Sequence, residues 1–95
     1  MGTKKIVVID DDPKIRMMLQ RSLAYAGYQV AAAEDGLLGW ELVLKEKPHL
    51  IILDVMLPGM DGYEVCQELK KVTDTPILML TAKDEVKDRV RGLDC

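Results

Sequence analysis

Four side chains in this sequence stand where chemistry is possible: the acid pair Asp10-Asp11, the single acid Asp54 and the hydroxyl of Thr81. Each follows a short apolar run: Ile6-Val7-Val8-Ile9 before the pair, Leu50-Ile51-Ile52-Leu53 before Asp54, and Ile77-Leu78-Met79-Leu80 before Thr81. Runs of this kind, bounded by turn residues, read as strands buried on both faces, as in a parallel sheet. All strand ends of a parallel sheet point the same way, and open α/β sheets bind ligands at those carboxyl ends, where the strand order reverses. If strands one and three are neighbours, three carboxylates meet at one edge. Two unit charges about 4 Å apart cost about 4 kcal/mol at an effective dielectric of about 20. A divalent cation removes that cost, and oxygen-only ligands select a hard one such as Mg2+. Such a centre, with a hydroxyl and a helix N-terminus beside it, suits phosphoryl transfer. Asp54 would attack as a carboxylate nucleophile to give an acyl phosphate, and Thr81 would donate to a phosphoryl oxygen.

Taken singly, each residue has a plainer explanation. One Asp after a strand is commonly a turn residue. Asp12, before Pro13, reads as a helix N-cap rather than a ligand. Asp10-Asp11 alone reads equally well as solvated turn acids, and Thr81 alone is a β-branched strand residue. The information lies in their joint placement at three strand ends.

The elements that must position these groups follow from periodicity and punctuation. Strand one is Lys5–Ile9, rich in β-branched residues. Helix one spans about 13–26, with Ile15, Met18, Leu19, Leu23 and Ala26 on one apolar face and Gly27 ending it. Strand two is 28–33, followed by an Asp35-Gly36 turn and helix two at about 37–46. Helix two is unusual: it carries more apolar positions than one stripe needs, and Gly39 in its interior costs about 1 kcal/mol against alanine. Strand three is 49–53, helix three about 62–71 with Val65, Cys66 and Leu69 inward, and strand four 77–80. A last helix is capped by Asp84 and runs through Val86, Val90 and Leu93. The alternation βαβαβαβα predicts a parallel sheet with right-handed crossovers.

Composition bounds the possibilities. Ninety-five residues make a single domain at most. The net charge of −3 with no basic block argues against direct nucleic-acid binding by this segment. Apolar runs of five residues or fewer cannot span a membrane. Cys66 and Cys95 make no disulfide framework, which predicts a reducing, cytoplasmic setting with Cys66 as a small core residue.

Three stretches carry a resemblance: Val8-Ile9-Asp10-Asp11-Asp12-Pro13, Leu53-Asp54-Val55-Met56-Leu57-Pro58-Gly59-Met60-Asp61-Gly62, and Leu80-Thr81-Ala82-Lys83. In order and spacing they resemble the receiver domain of bacterial two-component response regulators. Residues 81–94 look most like the OmpR/PhoB type, which carries a DNA-binding domain after the receiver. The resemblance implies a flavodoxin-like (CheY-like) three-layer α/β fold with strand order 2-1-3-4, occupying residues 1–95. It implies Asp54 as phosphoacceptor, Asp11 as a direct Mg2+ ligand, Asp10 as a ligand through a metal-bound water, and Met56 as a backbone-carbonyl ligand. Thr81 is implied as the switch hydroxyl. The implied partner is a sensor histidine kinase presenting a phosphohistidine, with DNA reached only through an output domain. The module would be a phosphoacceptor switch rather than a turnover enzyme.

The sequence departs from the family at its C-terminus. Receivers continue past the position of Cys95 with a fifth strand, its switch aromatic, a phosphate-pairing lysine and a fifth helix. Lys83, in the loop after Thr81, does not match that lysine. The domain is thus expected to be incomplete, with the edge of strand four (77–80) exposed to homodimer pairing there or through helix four. An alternative function follows: a truncated, non-signalling receiver that serves as an assembly or domain-swapped unit. A phosphatase of the haloacid dehalogenase type is disfavoured, because Pro13 and Lys14 stand where its Asp-x-Asp-x-Thr pattern needs a small residue and a threonine.

Overall fold

The computed structural model describes residues 2–57, 59–80 and 90–92. Strands β1 (Lys5–Ile9), β2 (Gln29–Ala33) and β3 (Leu50–Asp54) alternate with helices α1 (Pro13–Tyr25) and α2 (Gly36–Glu46). A short hairpin follows, β4 (Met56–Leu57) and β5 (Met60–Asp61), then helix α3 (Gly62–Lys70) and strand β6 (Ile77–Leu80). The sheet runs β2-β1-β3-β6 in parallel, the order expected for strands one to four. A fifth place beside β6 is taken by β7 (Val90–Gly92), which pairs antiparallel.

Alternation along the strands sorts the core onto two faces. Val7, Ile9, Ile51, Leu53, Ile77 and Met79 point to one face, where α2 and α3 bring Val43, Val65, Cys66 and Leu69. Ile6, Val8 and Ile52 point to the other, against Leu19 and Leu23 of α1. The central strands are therefore apolar throughout, as a parallel sheet covered on both faces requires.

Each helix starts on the acid that precedes it. Oδ1 of Asp12 accepts from the Lys14 N–H at 2.9 Å, with Pro13 at the first helical position. Asp35 and Asp61 cap α2 and α3 through the N–H groups of Leu38 and Tyr63, at 2.8 and 2.9 Å. The odd Gly39 inside α2 also has a cause: a Cβ there would run into the side chain of Ile9, so the helix reaches the sheet only through a glycine.

Four expectations need correction. The segment read as the end of a last helix holds β7 instead, and the rest of that predicted helix lies outside the described residues. The physical reason is the open edge of β6, whose unpaired backbone groups are satisfied at Met79 and Leu80 by Gly92 and Val90. The strand-four edge is thus partly occupied by the chain itself. The apolar face of α1 is shallower than expected: no residue of this helix is fully buried, and Met18 and Ala26 are exposed. Finally, Cys66 is buried in the core as predicted but is disulfide-bonded, where the two-cysteine composition predicted no bridge.

Candidate acidic centre at the strand ends

The register of the sheet builds the site. Ile9 of β1 lies opposite Leu53 of β3, so the next residues, Asp10 and Asp54, sit side by side at the carboxyl ends of the two central strands. To one side of β1 runs β2 and to the other β3, so the order reverses here as a ligand-binding crevice requires. Asp11 follows Asp10 in the turn, and one carboxylate oxygen from each of Asp10, Asp11 and Asp54 lies within 4.8 Å of the others. Asp10 and Asp54 are 5% and 4% exposed, whereas Asp11 faces solvent.

Backbone amides hold both buried acids. Oδ1 of Asp10 accepts from the Asp12 N–H at 2.9 Å, and Oδ1 of Asp54 accepts from the Met56 N–H at 3.0 Å. These bonds span two residues each, the geometry by which an Asp side chain folds the following turn back on itself. Arg16, from the first turns of α1, donates through Nη1 to the carbonyl oxygen of Asp10 at 2.8 Å. The Asp10 amide donates to the Ala33 carbonyl at 3.1 Å, and that of Val55 to the Leu80 carbonyl at 2.8 Å. The two acidic turns are therefore tied to the strands on either side.

Burial raises the Asp10 carboxyl to about 6; the Asp12 N–H works against it, and the charges of Asp54, Asp11 and Asp12 add to it. Asp54 is likewise held above the ordinary carboxylate range, first by burial and then by the charges of Asp11 and Asp12. The Met56 N–H and a hydrogen bond with Asp10 oppose that rise. Among the described residues, the only ion pairs are Lys5–Glu46 and Lys71–Glu68, so no cationic side chain neutralises this cluster. Three converging oxygens, two of them on buried acids and none paired with a cationic side chain among the described residues, form a donor set that fits a hard divalent cation such as Mg2+.

The structure thus brings together three of the five residues singled out from sequence. Met56 lies beside Asp54 and engages it through its N–H; its side chain is half exposed. Thr81 lies outside the described residues. Asp12 is the cap it was read to be. Sequence reasoning missed Arg16, because its contact is to a backbone carbonyl and no spacing of side chains announces it. It also missed the β4–β5 hairpin, whose two-residue strands are too short to carry a periodicity.

The family model described as "Response regulator receiver domain" matches residues 6–95. A "Probable transcriptional regulator ycf27" of Cyanophora paradoxa is 50% identical over 94 residues, covering 99% of this chain and 39% of the relative. A "Response regulator MprA" of Mycobacterium sp. (strain KMS) is 47% identical over 91 residues, covering 95% and 40%. This chain therefore spans well under half the length of the curated relatives it matches. Among solved structures, response regulator protein TrrA from Thermotoga maritima, in complex with Mg(2+)-BeF, superposes with a TM-score of 0.80 at 38% identity, covering 90% of this chain and 76% of that one.

Proposed function

The chain belongs to the response regulator receiver domain family, and on that premise we propose that it is a phospho-accepting switch in which Asp54 takes a phosphoryl group from a sensor histidine kinase. The observation that carries this reading is the buried Asp54 carboxylate at the end of β3, within 4.8 Å of ligand atoms of Asp10 and Asp11. In the transfer, a carboxylate oxygen of Asp54 attacks phosphorus. The new P–O bond forms as the P–N bond of the donor phosphohistidine breaks, and the imidazole leaves with a proton from solvent. The Met56 N–H holds Oδ1 of Asp54 and so orients the carboxylate. Asp54 must be ionised to attack, and its burial beside two other acids works against that.

Asp11 and Asp54 would hold Mg2+ directly, Asp10 through a water, and Met56 through its backbone carbonyl. Bound there, the ion would offset the repulsion among the carboxylates and the charge of the phosphoryl oxygens. The described TrrA complex, with Mg(2+)-BeF, supports this choice of ion. Thr81, the proposed switch hydroxyl, would respond to the phosphoryl group after transfer.

Residues 1–95 are read as one receiver domain. The relatives described as transcriptional regulators support a parent protein that acts on DNA through a separate output domain. The reading carries the cytoplasm as its compartment; no helix among the described residues is long and apolar enough to cross a membrane.

The test is mass spectrometry of the chain after acetyl phosphate, or after beryllofluoride, with Mg2+. An adduct on the wild type that Asp54→Asn abolishes supports the reading, and no adduct on the wild type refutes it for this chain. A second reading is favoured by β7, which lies antiparallel in the sheet position beside β6. In it the chain binds Mg2+ but transmits nothing, and acts as an assembly or swapped unit. Mg2+ binding without any phosphoryl adduct is its signature.

A further inference from the structure

The segment that leaves Asp54 makes a closed loop. Met56 pairs with Asp61 and Leu57 with Met60 across the β4–β5 hairpin, and Gly59 turns the tip with φ +70°. At the neck, the Gly62 N–H donates to the Val55 carbonyl at 2.9 Å. Asp54 and Val55 enter the loop at this neck, and Met56, whose amide holds the Asp54 carboxylate, is the first residue inside it.

Gly62 is the first residue of α3 and does not have a positive φ. Neither the backbone angles nor the helix asks for glycine there, and helix propensity favours alanine. The close approach does ask for it. A Cβ on Gly62 would lie 2.5 Å from both Cα and the carbonyl oxygen of Val55 and 2.7 Å from the carbonyl oxygen of Asp54. All three are backbone atoms of the strand end itself, so no side chain can swing aside. Gly36 shows the contrast: its virtual Cβ meets Met60 Sδ at 2.7 Å and Val65 Cγ2 at 2.8 Å, both side-chain ends.

The geometry points to Gly62 as a positioning residue for the acidic centre: by lacking a side chain it closes the loop neck and sets the backbone from Asp54 to Met56. A methyl group at 62 pushes the neck open and displaces Met56, and with it the amide on Asp54 and the carbonyl assigned to the metal. The inference rests on the Mg2+-binding reading proposed above.

The experiment compares wild type, Gly62→Ala and the core variant Val43→Ala in the full 95-residue chain, following Mg2+ titration by amide NMR and unfolding in urea without metal. Val43 is a buried core residue of α2 that contributes neither to the loop neck nor to the acidic centre, and it reports simple loss of stability. Gly62→Ala is expected to shift the Met56 amide resonance in the metal-free protein and to weaken Mg2+ binding about 10- to 100-fold, as removal of a supporting contact does at metal sites. Val43→Ala is expected to unfold at lower urea and bind Mg2+ as the wild type does. Gly62→Ala that binds Mg2+ like the wild type overturns the inference, as does an increase in stability from better helix propensity alone. If Gly62→Ala does not fold, the wild-type titration decides: the Gly62 and Met56 amides should move with one midpoint, and a stationary Gly62 amide overturns the proposal. A wild type that binds no Mg2+ at all defeats the underlying reading instead, which separates the two failures.

Discussion

The Met56 N–H donates to Oδ1 of Asp54 at 3.0 Å, so the chain leaving the central strand turns back onto the carboxylate it has just delivered. The same device holds Asp10 through the Asp12 N–H at 2.9 Å. Two buried acids are thus each held by one amide and left facing one another with a third acid, Asp11, beside them. That arrangement is costly without a cation.

Metal-free stability should fall as pH rises from about 4 to above 6. The folded-state value of Asp10 is raised to about 6 from an ordinary 3.8, and Asp54 is raised as well. In this window the folded state binds more protons than the unfolded one, so the slope of unfolding free energy with pH is negative. The penalty is absent below the unfolded value and complete above the folded one. For Asp10 it amounts to at most about 3 kcal/mol. Urea unfolding in EDTA at pH 5 and pH 7.5 measures it, and a higher midpoint at pH 7.5 would contradict the expectation.

Mg2+ should reverse that trend and depend on the acids individually. At pH 7.5 Mg2+ should raise the unfolding midpoint, and chelation should restore the lower one. Asp11→Ala, at an exposed position, should leave metal-free stability within about 0.5 kcal/mol and weaken Mg2+ binding by about tenfold or more, since ligand charge count sets affinity for hard cations. Asp54→Asn should stabilise the metal-free protein at pH 7.5 while abolishing the phosphoryl adduct. Calorimetric titration with Mg2+ and intact mass measurement check the two halves.

Asp12→Ala should behave as the loss of a cap and nothing more. Its Oδ1 accepts from Lys14 N at 2.9 Å, while its own backbone N–H, which serves Asp10, survives the substitution. A stability loss of about 0.5–2 kcal/mol is expected. Mg2+ affinity should stay within a few-fold of wild type, and a loss as large as that of Asp11→Ala would show that Asp12 is a ligand.

Arg16→Met should loosen the turn that carries Asp10. The guanidinium donates to the Asp10 carbonyl at 2.8 Å, and a charged donor of this kind contributes about 1.5–3 kcal/mol. Methionine keeps an apolar stem of similar length, so packing is largely preserved. Lower stability together with weaker Mg2+ binding is expected, whereas unchanged values for both would show that the contact holds nothing in place.

How much of this was legible beforehand depends on the range of the physics. The strands were readable because four-residue apolar runs bounded by turn or polar residues leave few other solutions, and their alternation with helices made the sheet parallel; the order 2-1-3 came from the family resemblance, not from the pattern. Asp12 as cap was readable because capping is a contact over two residues. Helix one was only half right: Leu19 and Leu23 pack on the sheet while Met18 and Ala26 stay exposed, since periodicity says which positions share a stripe but not how much of it a neighbour covers.

By itself, the sequence determined the four parallel strands, the first three helices and the placement of acids after strands one and three. These are local facts, carried by residue type, spacing and the turn signals around them. Only the tertiary structure decided the rest. It set Asp10 beside Asp54 by the β1–β3 register and drew three oxygens within 4.8 Å. It turned residues 90–92 into an antiparallel strand because the edge of β6 had unpaired backbone to satisfy. It also gave Gly62 a task no pattern shows, since a missing side chain leaves no signal until the backbone it admits is seen 2.5 Å from where a Cβ would stand.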